Sequence, residues 1–392
     1  MKRLTALAGL TASWIAAAPA ISAQPDDPAT SGWLSGVETS TEIDLDILFA
    51  LGEGDAPHDG PYADLRARFE AEKVADATLR YGVRLAGGAV RHDGGRGPGG
   101  YVECGPGCPD AVGLATGLHT AAALGPDEAR AGLTRAEAYV KSGYFEIIGG
   151  LGETAAQAGR IAPSGVFRLA GADAALVSPA GSGHPDTALS LSAPTVRVMA
   201  RSRRLAGFRA SVSWAPEADP CGLDQCRPAA PLFGRPSLDG LWSAGVDFDH
   251  QFRSSGVRWS ASAGVERADA SASSPLYADP WLVSAGVSRE EGGVTVSARW
   301  LASNDGLSSG RYEAASLAAT YERGDWLYGV SAANARSDAF DVSETSILFG
   351  ASRLIGRNGL AGAGVQISSE TRPGAPGRDE DAALLAELGW RF

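Results

Sequence analysis

Apolar and polar residues alternate with a period of two along most of the chain. In the last segment Leu384, Leu388, Trp390 and Phe392 fall on one face, and Glu387 falls on the other. Such alternation predicts a β-strand with one apolar and one polar face. A soluble sheet with water on one side shows the same alternation, so the pattern becomes informative only through its repetition along the chain.

The repetition predicts about sixteen strands. Only the stretch from Pro126 to Arg135 has a helix-like pattern, and most of it lies within a long connection. The predicted strands cover roughly 38–51, 62–72, 77–88, 133–143, 145–153, 194–202, 207–216, 240–252, 256–268, 280–289, 293–302, 311–323, 326–336, 344–354, 359–370 and 380–392.

The connections between these strands alternate in length. Short turns such as 253–256 and 323–325 are followed along the chain by longer loops, of which 89–132 and 154–193 are the longest. A tilted strand of around ten residues crosses a bilayer, and an even number of such strands can close without an unpaired edge. We therefore predict an all-β protein, a transmembrane antiparallel β-barrel with short periplasmic turns and longer extracellular loops.

The composition of the apolar face agrees with a lipid-facing surface. Aromatic residues such as Trp214, Trp281, Trp326 and Trp390 fall near strand ends, whereas Ala, Val and Leu fill strand middles. Two aromatic belts at the membrane interfaces have this distribution. A soluble β-sandwich or propeller is the alternative. The charged residues in the middle of the polar faces, and the thin, Ala-rich apolar faces, argue against it.

The N-terminal segment predicts secretion. Lys2 and Arg3 precede an apolar run from Leu4 to Ala18, and a plausible processing site follows Ala23. This is the pattern of a cleaved signal peptide, 1–23. An N-terminal membrane anchor is the alternative, but the run is shorter than a spanning helix normally needs. The mature chain, 24–392, has no Pro-rich or Gly/Ser-rich linker and is predicted to be a single barrel.

Charge and motifs narrow the function further. The chain has 392 residues, a formal net charge of -12 and a pI near 5.0, which argues against a nucleic-acid binder. The sequence lacks a catalytic elbow, a phosphate-binding loop before a helix and a His-based metal motif. The five histidines are scattered without ligand spacing. We therefore expect no enzymatic activity, no metal and no cofactor.

The four cysteines form two close pairs in turn-rich segments. Cys104 and Cys108 lie in one, and Cys221 and Cys226 in the other. Two short local disulfides are the natural pairing in a secreted protein, and would stabilise loop tips. A four-cysteine metal site is the rival interpretation. It would require both loops to converge, and neither pair has the usual two-residue spacing.

Taken together, these features resemble the Gram-negative outer-membrane general porins, in particular the alphaproteobacterial branch. The features are the predicted signal peptide, the sixteen predicted strands of alternating polarity, the long third outer loop and the C-terminal residues Gly389-Trp390-Arg391-Phe392. The resemblance implies passive diffusion of ions and small hydrophilic solutes, a homotrimer, and contact with outer-membrane lipids and lipopolysaccharide. It also implies that Trp390 and Phe392 belong to the signal read by the barrel-assembly machinery, and that the third loop folds into the lumen.

A pore constriction would be formed by this third loop, about 154–193, and the wall opposite. The acidic candidates on the loop segment are Glu153, Asp173 and Asp186. A basic wall facing acidic loop residues would set a transverse field across a narrow pore, which favours polar solutes. The alternative is that the arginines only pair with Asp64, Glu70 and Glu137 as filling of the wall. The basic candidates are Arg66, Arg68, Arg80, Arg84, Arg135, Lys141, Arg197, Arg201 and Arg209.

Three other functions compete with passive diffusion. A substrate-selective channel, for example for sugars, would be favoured by aromatic residues in series along the lumen, and few are found. A structural or adhesive barrel would bind a partner through its outer loops and keep its lumen closed. A barrel enzyme, such as an outer-membrane phospholipase or protease, would more often use fewer strands and a catalytic pair at the rim.

Overall fold

The alternating segments pair into sixteen antiparallel strands that close into a barrel. The structure is a computed structural model. It describes residues 36–53, 60–76, 78–91, 100–101, 111–119, 130–162, 164–174, 176–180, 185–218, 236–271, 274–372 and 377–392. Residues Glu38–Phe392 form one compact unit. The predicted signal peptide and all four cysteines lie outside the described residues.

Each strand pairs with its sequence neighbours, and β1 closes the barrel against β16. The strands are β1 (Val37–Glu53), β2 (Gly60–Val74), β3 (Arg80–Arg91), β4 (Arg130–Lys141), β5 (Phe145–Gly152), β6 (Thr195–Ser202), β7 (Phe208–Ala218), β8 (Ser237–Gln251), β9 (Arg258–Ser271), β10 (Trp281–Glu291), β11 (Val294–Ser303), β12 (Tyr312–Arg323), β13 (Trp326–Ser337), β14 (Val342–Ile355), β15 (Gly359–Thr371) and β16 (Asp379–Arg391). Closure gives every strand two partners, so no edge is left open.

The predicted strand count and order are confirmed. The predicted and observed strand ends differ by at most three residues. The difference is this large at both ends of β3, which was predicted over 77–88 and is observed over Arg80–Arg91. The helix-like interpretation of Pro126 to Arg135 was wrong from Arg130 onward, because β4 begins there. The register of β3 against β4 shifts where Ala86 faces Arg135 and Gly87 faces Leu133. This bulge inserts Thr134 and interrupts the alternation that identifies the other strands.

The side-chain faces also follow the predicted alternation. Leu384, Leu388 and Trp390 point outward and are 61%, 54% and 45% exposed, whereas Glu387 points inward and is buried. Aromatic side chains on the outward face form two bands. Trp214, Trp242, Trp281 and Trp300 lie near the loop ends of their strands, and Trp259, Tyr321, Trp326, Tyr328 and Trp390 lie near the turn ends. Among the residues described, no helix combines the length and apolar character that crossing a membrane requires.

The barrel interior is partly filled by the segment 153–193, which we call the inner loop. It starts after β5 with a single helical turn, α1 (Ala155–Ala158), which the period-two pattern did not predict. Farther along, Phe167 is buried against β14 and β15, where glycine replaces a side chain at Gly350, Gly362 and Gly364. A Cβ atom at Gly362 would lie 2.7 Å from Cε1 of Phe167. Because these three glycines have no side chain, the ring packs directly against the backbone of β14 and β15.

We expect Gly362→Ala to displace Phe167 and loosen the inner loop, because the new methyl group overlaps the ring. Overpacking of this kind costs about 1–3 kcal/mol. Hydrogen exchange of the amides around residue 167 would measure the local opening. In a double-mutant cycle, Gly362→Ala should cost clearly less when Phe167 is already Ala. Equal costs in both backgrounds would contradict the contact between this glycine and the ring.

Candidate functional site

The start of the inner loop is fixed by serines of the wall. The Thr154 side chain caps α1, and the next backbone N–H groups donate to the wall: Ala155 N to Ser213 Oγ at 3.0 Å and Ala156 N to Ser243 Oγ at 2.9 Å. The first N–H groups of a helix have no partner within the helix, so these serines satisfy donors that would otherwise be buried without one. The polar face of β7 and β8 thus supplies a docking site for α1.

The tip of the inner loop is held by one carboxylate of the last strand. Glu387, 1% exposed, accepts hydrogen bonds from the backbone N–H groups of Arg168 at 2.7 Å, Leu169 at 2.9 Å and Ala170 at 3.2 Å. The Arg168 side chain reaches back to Asp46 of β1, at 3.7 Å. Three consecutive backbone N–H groups share this one side chain, so Glu387 fixes the position of the tip. The sequence shows this glutamate only as a polar-face residue of an alternating strand.

The returning half of the inner loop is also bound to the wall. Glu266 of β9 accepts from Leu191 N at 2.7 Å and from the Ser190 hydroxyl at 2.8 Å, and Thr154 donates to it as well. Gln366 of β15 accepts from Ala180 N at 3.3 Å. The described contacts therefore run along the interior from β7 through β16 to β1. The inner loop occupies that side of the lumen.

The predicted acidic residues occupy two different environments. Asp173 accepts from Thr187 N at 3.1 Å and lies 3.5 Å from Arg299 of β11, and it is only 5% exposed. Asp186 is equally buried, and burial together with the Asp173 carboxylate raises the pKa of Asp186 to about 6. Glu153 instead forms an ion pair with Arg135. The structure thus brings one of the three acids to the predicted basic residues. It places Asp173 beside Arg299 of β11, whereas the Asp186 side chain accepts a hydrogen bond from Ala188 N within the loop.

The predicted basic residues of β2 and β3 lie on the inner face and pair with neighbouring carboxylates. Arg66 contacts Asp64 at 3.1 Å through Nε. Arg84 bridges Glu70 at 3.0 Å and Glu146 at 2.9 Å. The remaining pairs in this region are Arg68 with Glu42 at 3.2 Å and Arg80 with Glu72 at 2.9 Å.

The other predicted basic residues differ in exposure. Arg197 is buried and donates to the Ala193 and Thr195 carbonyl groups, so it supports the end of the inner loop. Lys141 faces Glu146 across β4 and β5 and is exposed. The others form ion pairs: Arg135 with Glu137, Arg201 with Glu146, and Arg209 with Asp247.

A second segment, 111–119, packs over the loop end of β11. The Asp305 carboxylate accepts from Ala115 N at 2.9 Å, Thr116 N at 2.8 Å and the Thr116 hydroxyl at 2.6 Å. Leu114 packs with Leu189 and Leu191 of the inner loop in one apolar cluster. Burial raises the pKa of Asp305 to about 6, although the hydrogen bonds from residues 115 and 116 favour its charged form. Sequence reasoning had not singled out this contact.

No group of His, Cys, Asp or Glu suited to holding a metal ion occurs in the part of the chain that the structure describes.

Comparison with known proteins identifies the fold. No family model matches the chain, and no curated protein matches it. Among solved structures, an anion-selective porin from Comamonas acidovorans is 13% identical with a TM-score of 0.57, and the match covers 91% of this chain and 100% of that one. OmpT of Vibrio cholerae, in a loop-deletion form, is 11% identical with a TM-score of 0.53 and the same coverage. OmpF of Salmonella typhi is 11% identical with a TM-score of 0.52, covering 91% of this chain and 97% of that one.

The chain therefore has the sixteen-stranded barrel fold of these porins. At such low identity the likeness extends to the fold alone. The predicted resemblance to outer-membrane porins is confirmed at that level.

We expect Glu387→Gln to release the tip of the inner loop. The amide replaces one acceptor oxygen by a donor, so at least one of the three backbone N–H groups loses its partner. A buried donor without a partner costs about 1–3 kcal/mol. Hydrogen exchange at residues 168–170 should accelerate accordingly. Glu313→Gln, on an exposed side chain of β12, is the matched control and should leave the exchange unchanged; unchanged exchange in Glu387→Gln would contradict the anchoring role.

Docking of segment 111–119 should weaken as the pH rises through about 6, the pKa of Asp305. The docked carboxyl group binds its proton more tightly than a free one, whose ordinary pKa is 3.8, so docking is strongest below both values. Hydrogen exchange of the segment, corrected for intrinsic rates, measures the effect. Asp305→Asn keeps an acceptor without the charge and should abolish the pH dependence while docking firmly at neutral pH. A pH dependence that persists in Asp305→Asn would show that another group is responsible.

Proposed function

We propose that the protein is an outer-membrane porin, a water-filled channel for passive diffusion of ions and small hydrophilic solutes. The supporting observation is the contrast between the two faces of a closed barrel. The outward face carries apolar and aromatic side chains, and the inner face of β2 and β3 carries half-exposed arginines such as Arg66 and Arg80. A polar lumen inside an apolar belt is the arrangement that a membrane channel requires.

The path of the inner loop supports the location of the narrowest region. The loop contacts β7 through β16 and β1, so an open path would run between the loop and the arginine-bearing strands. The proposed constriction combines the basic candidates of β2 to β7 with Glu153 at its edge. Asp173 and Asp186 would shape it indirectly, because Asp173 contacts Arg299 and Thr187, and the Asp186 backbone N–H donates to the Tyr312 hydroxyl of β12.

The cellular setting belongs to the same proposal. A cleaved signal peptide, 1–23, would direct the chain across the inner membrane, and Trp390 and Phe392 would take part in recognition by the barrel-assembly machinery. Lipids and lipopolysaccharide would surround the apolar belt, and Cys104–Cys108 and Cys221–Cys226 would form local disulfides. A homotrimer is supported by the fold likeness to OmpT of Vibrio cholerae, one structure of which is described as a trimer form, at 12% identity and a TM-score of 0.51. No catalytic step is proposed.

Planar bilayers test the channel directly. The folded, purified protein should insert with stepwise increases in conductance, and liposomes that contain it should swell in small sugars. Heat-unfolded protein from the same preparation is the control. Absence of conductance steps from folded protein would refute the channel. Absence of swelling, with the protein shown to be inserted, would indicate a barrel whose lumen is closed to sugars.

A further inference from the structure

The exposed arginines of β2 and β3 lie opposite the part of the inner loop that contacts β11. In the closed order of sixteen strands, β3 and β11 are half the barrel apart. The inner loop contacts β11 through Asp173 and Arg299, whereas Arg80 and Arg84 lie on β3. Arg68 of the neighbouring β2 pairs with Glu42 of β1, and Asp46 of the same strand contacts Arg168 at the loop tip. The arginine-bearing wall therefore begins beside the tip of the loop.

The ion pairs on this wall have a common orientation. The carboxylate lies against the wall, and the guanidinium group lies on the water side. Arg66 has 42% of its side chain exposed and Asp64 has 3%. Arg391 has 52% exposed and Asp44 has 9%. The arginine is also the more exposed partner in four further pairs: Arg80–Glu72, Arg135–Glu137, Arg204–Asp247 and Arg209–Asp247.

Among the described ion pairs from β1 to β7, three carboxylates are exceptions, and each has an arginine beside it. Glu42, Glu70 and Glu153 are more than a third exposed. Glu42 contacts both Arg68 and Arg391, which are each about half exposed. The charges that meet water are thus mixed at these three points, while guanidinium groups dominate elsewhere on the described wall.

Apart from Glu153 at its start, the described part of the inner loop does not supply the opposing negative surface. Asp173 and Asp186 are both buried, Asp173 beside Arg299 of β11 and Asp186 bonded to Ala188 N within the loop. The loop instead places Arg168 beside Asp46, with 27% of the Arg168 side chain exposed against 14% for the acid. Water between the loop and the wall therefore meets guanidinium groups from both sides.

Such an arrangement produces a positive potential in the open path, even though most charges are paired. An ion in the lumen lies nearer to the guanidinium groups than to the carboxylates behind them, and low-dielectric walls focus the field. Guanidinium groups also offer paired N–H donors that match carboxylate and phosphate oxygens. Rings of Arg or Lys are the usual lining of pores that conduct anions or phosphate.

We propose that the channel prefers small anions, and among organic solutes those that carry carboxylate or phosphate groups. This inference rests on the proposed channel function and specifies its solute class. It differs from the transverse-field hypothesis, in which acidic loop residues face the basic wall, because Asp173 and Asp186 are buried and, of the three predicted acids, only Glu153 lies beside a predicted basic residue.

The test is the reversal potential of single channels across a KCl gradient, repeated with potassium phosphate. The parent protein should be more permeable to the anion in both salts. Arg66→Gln with Arg68→Gln should lower the anion-to-cation permeability ratio by roughly twofold or more, because two water-facing charges are removed. Arg353→Gln, on the outward face of β14, is the matched control and should leave the ratio unchanged. If the double variant fails to fold, Arg80→Gln with Arg391→Gln replaces it.

The dependence on salt concentration distinguishes selectivity that arises from charge from selectivity that arises from solute size. The anion preference should fall between about 0.1 M and about 1 M salt, where the screening length shrinks from about 10 Å to about 3 Å. Channels that conduct but prefer cations, or whose preference is the same in parent and arginine variants, would overturn the inference and leave the channel function intact. A folded protein that forms no channels would instead refute the proposed function.

Discussion

The closure of the sheet is the constraint on which the rest of the structure depends. Because β1 pairs with β16, with Leu48 opposite Glu387, every strand has two neighbours and the backbone needs no partner from outside. Closure also separates the two faces completely, since alternate side chains must point either into the barrel or out of it. Polar residues that would be costly in lipid are thereby collected in one interior.

The barrel interior binds backbone groups of the entering segments as well as their side chains. Glu387, Glu266 and Asp305 stand on three different parts of the barrel, and each accepts N–H groups from a segment that enters the lumen or its mouth. Irregular backbone cannot satisfy its own donors, so a buried loop needs such partners. Glycines of β14 and β15 provide the complementary apolar contact with Phe167. The same wall therefore offers acceptors for the backbone and space for one ring.

Periodicity was sufficient to find the barrel because each strand repeats the same two-faced pattern over about ten residues. It predicted β4 but placed its start three residues late, close to the point where Thr134 bulges and the alternation changes phase. The path of the inner loop could not be predicted, because its anchors are single residues far away in sequence. Asp173 was predicted to face the basic wall, but it lies beside Arg299 of β11, and no local sequence pattern links the two. The arginines were found as inward residues, whereas their exposure relative to their acidic partners required the three-dimensional arrangement.

Glu387, which holds the tip of the inner loop, lies on β16. The order in which the strands assemble therefore affects the width of the lumen. Arg168 and Glu387 are separated by 219 positions, and β16 follows the other fifteen barrel strands in chain order. Contacts of such long range form late, since a large loop of chain must be closed first. Until β16 takes its place, the backbone N–H groups of the tip lack the Glu387 carboxyl group that binds them. We therefore expect the inner loop to take up its final position only when the barrel closes. A barrel still open between β1 and β16 would have a wider lumen.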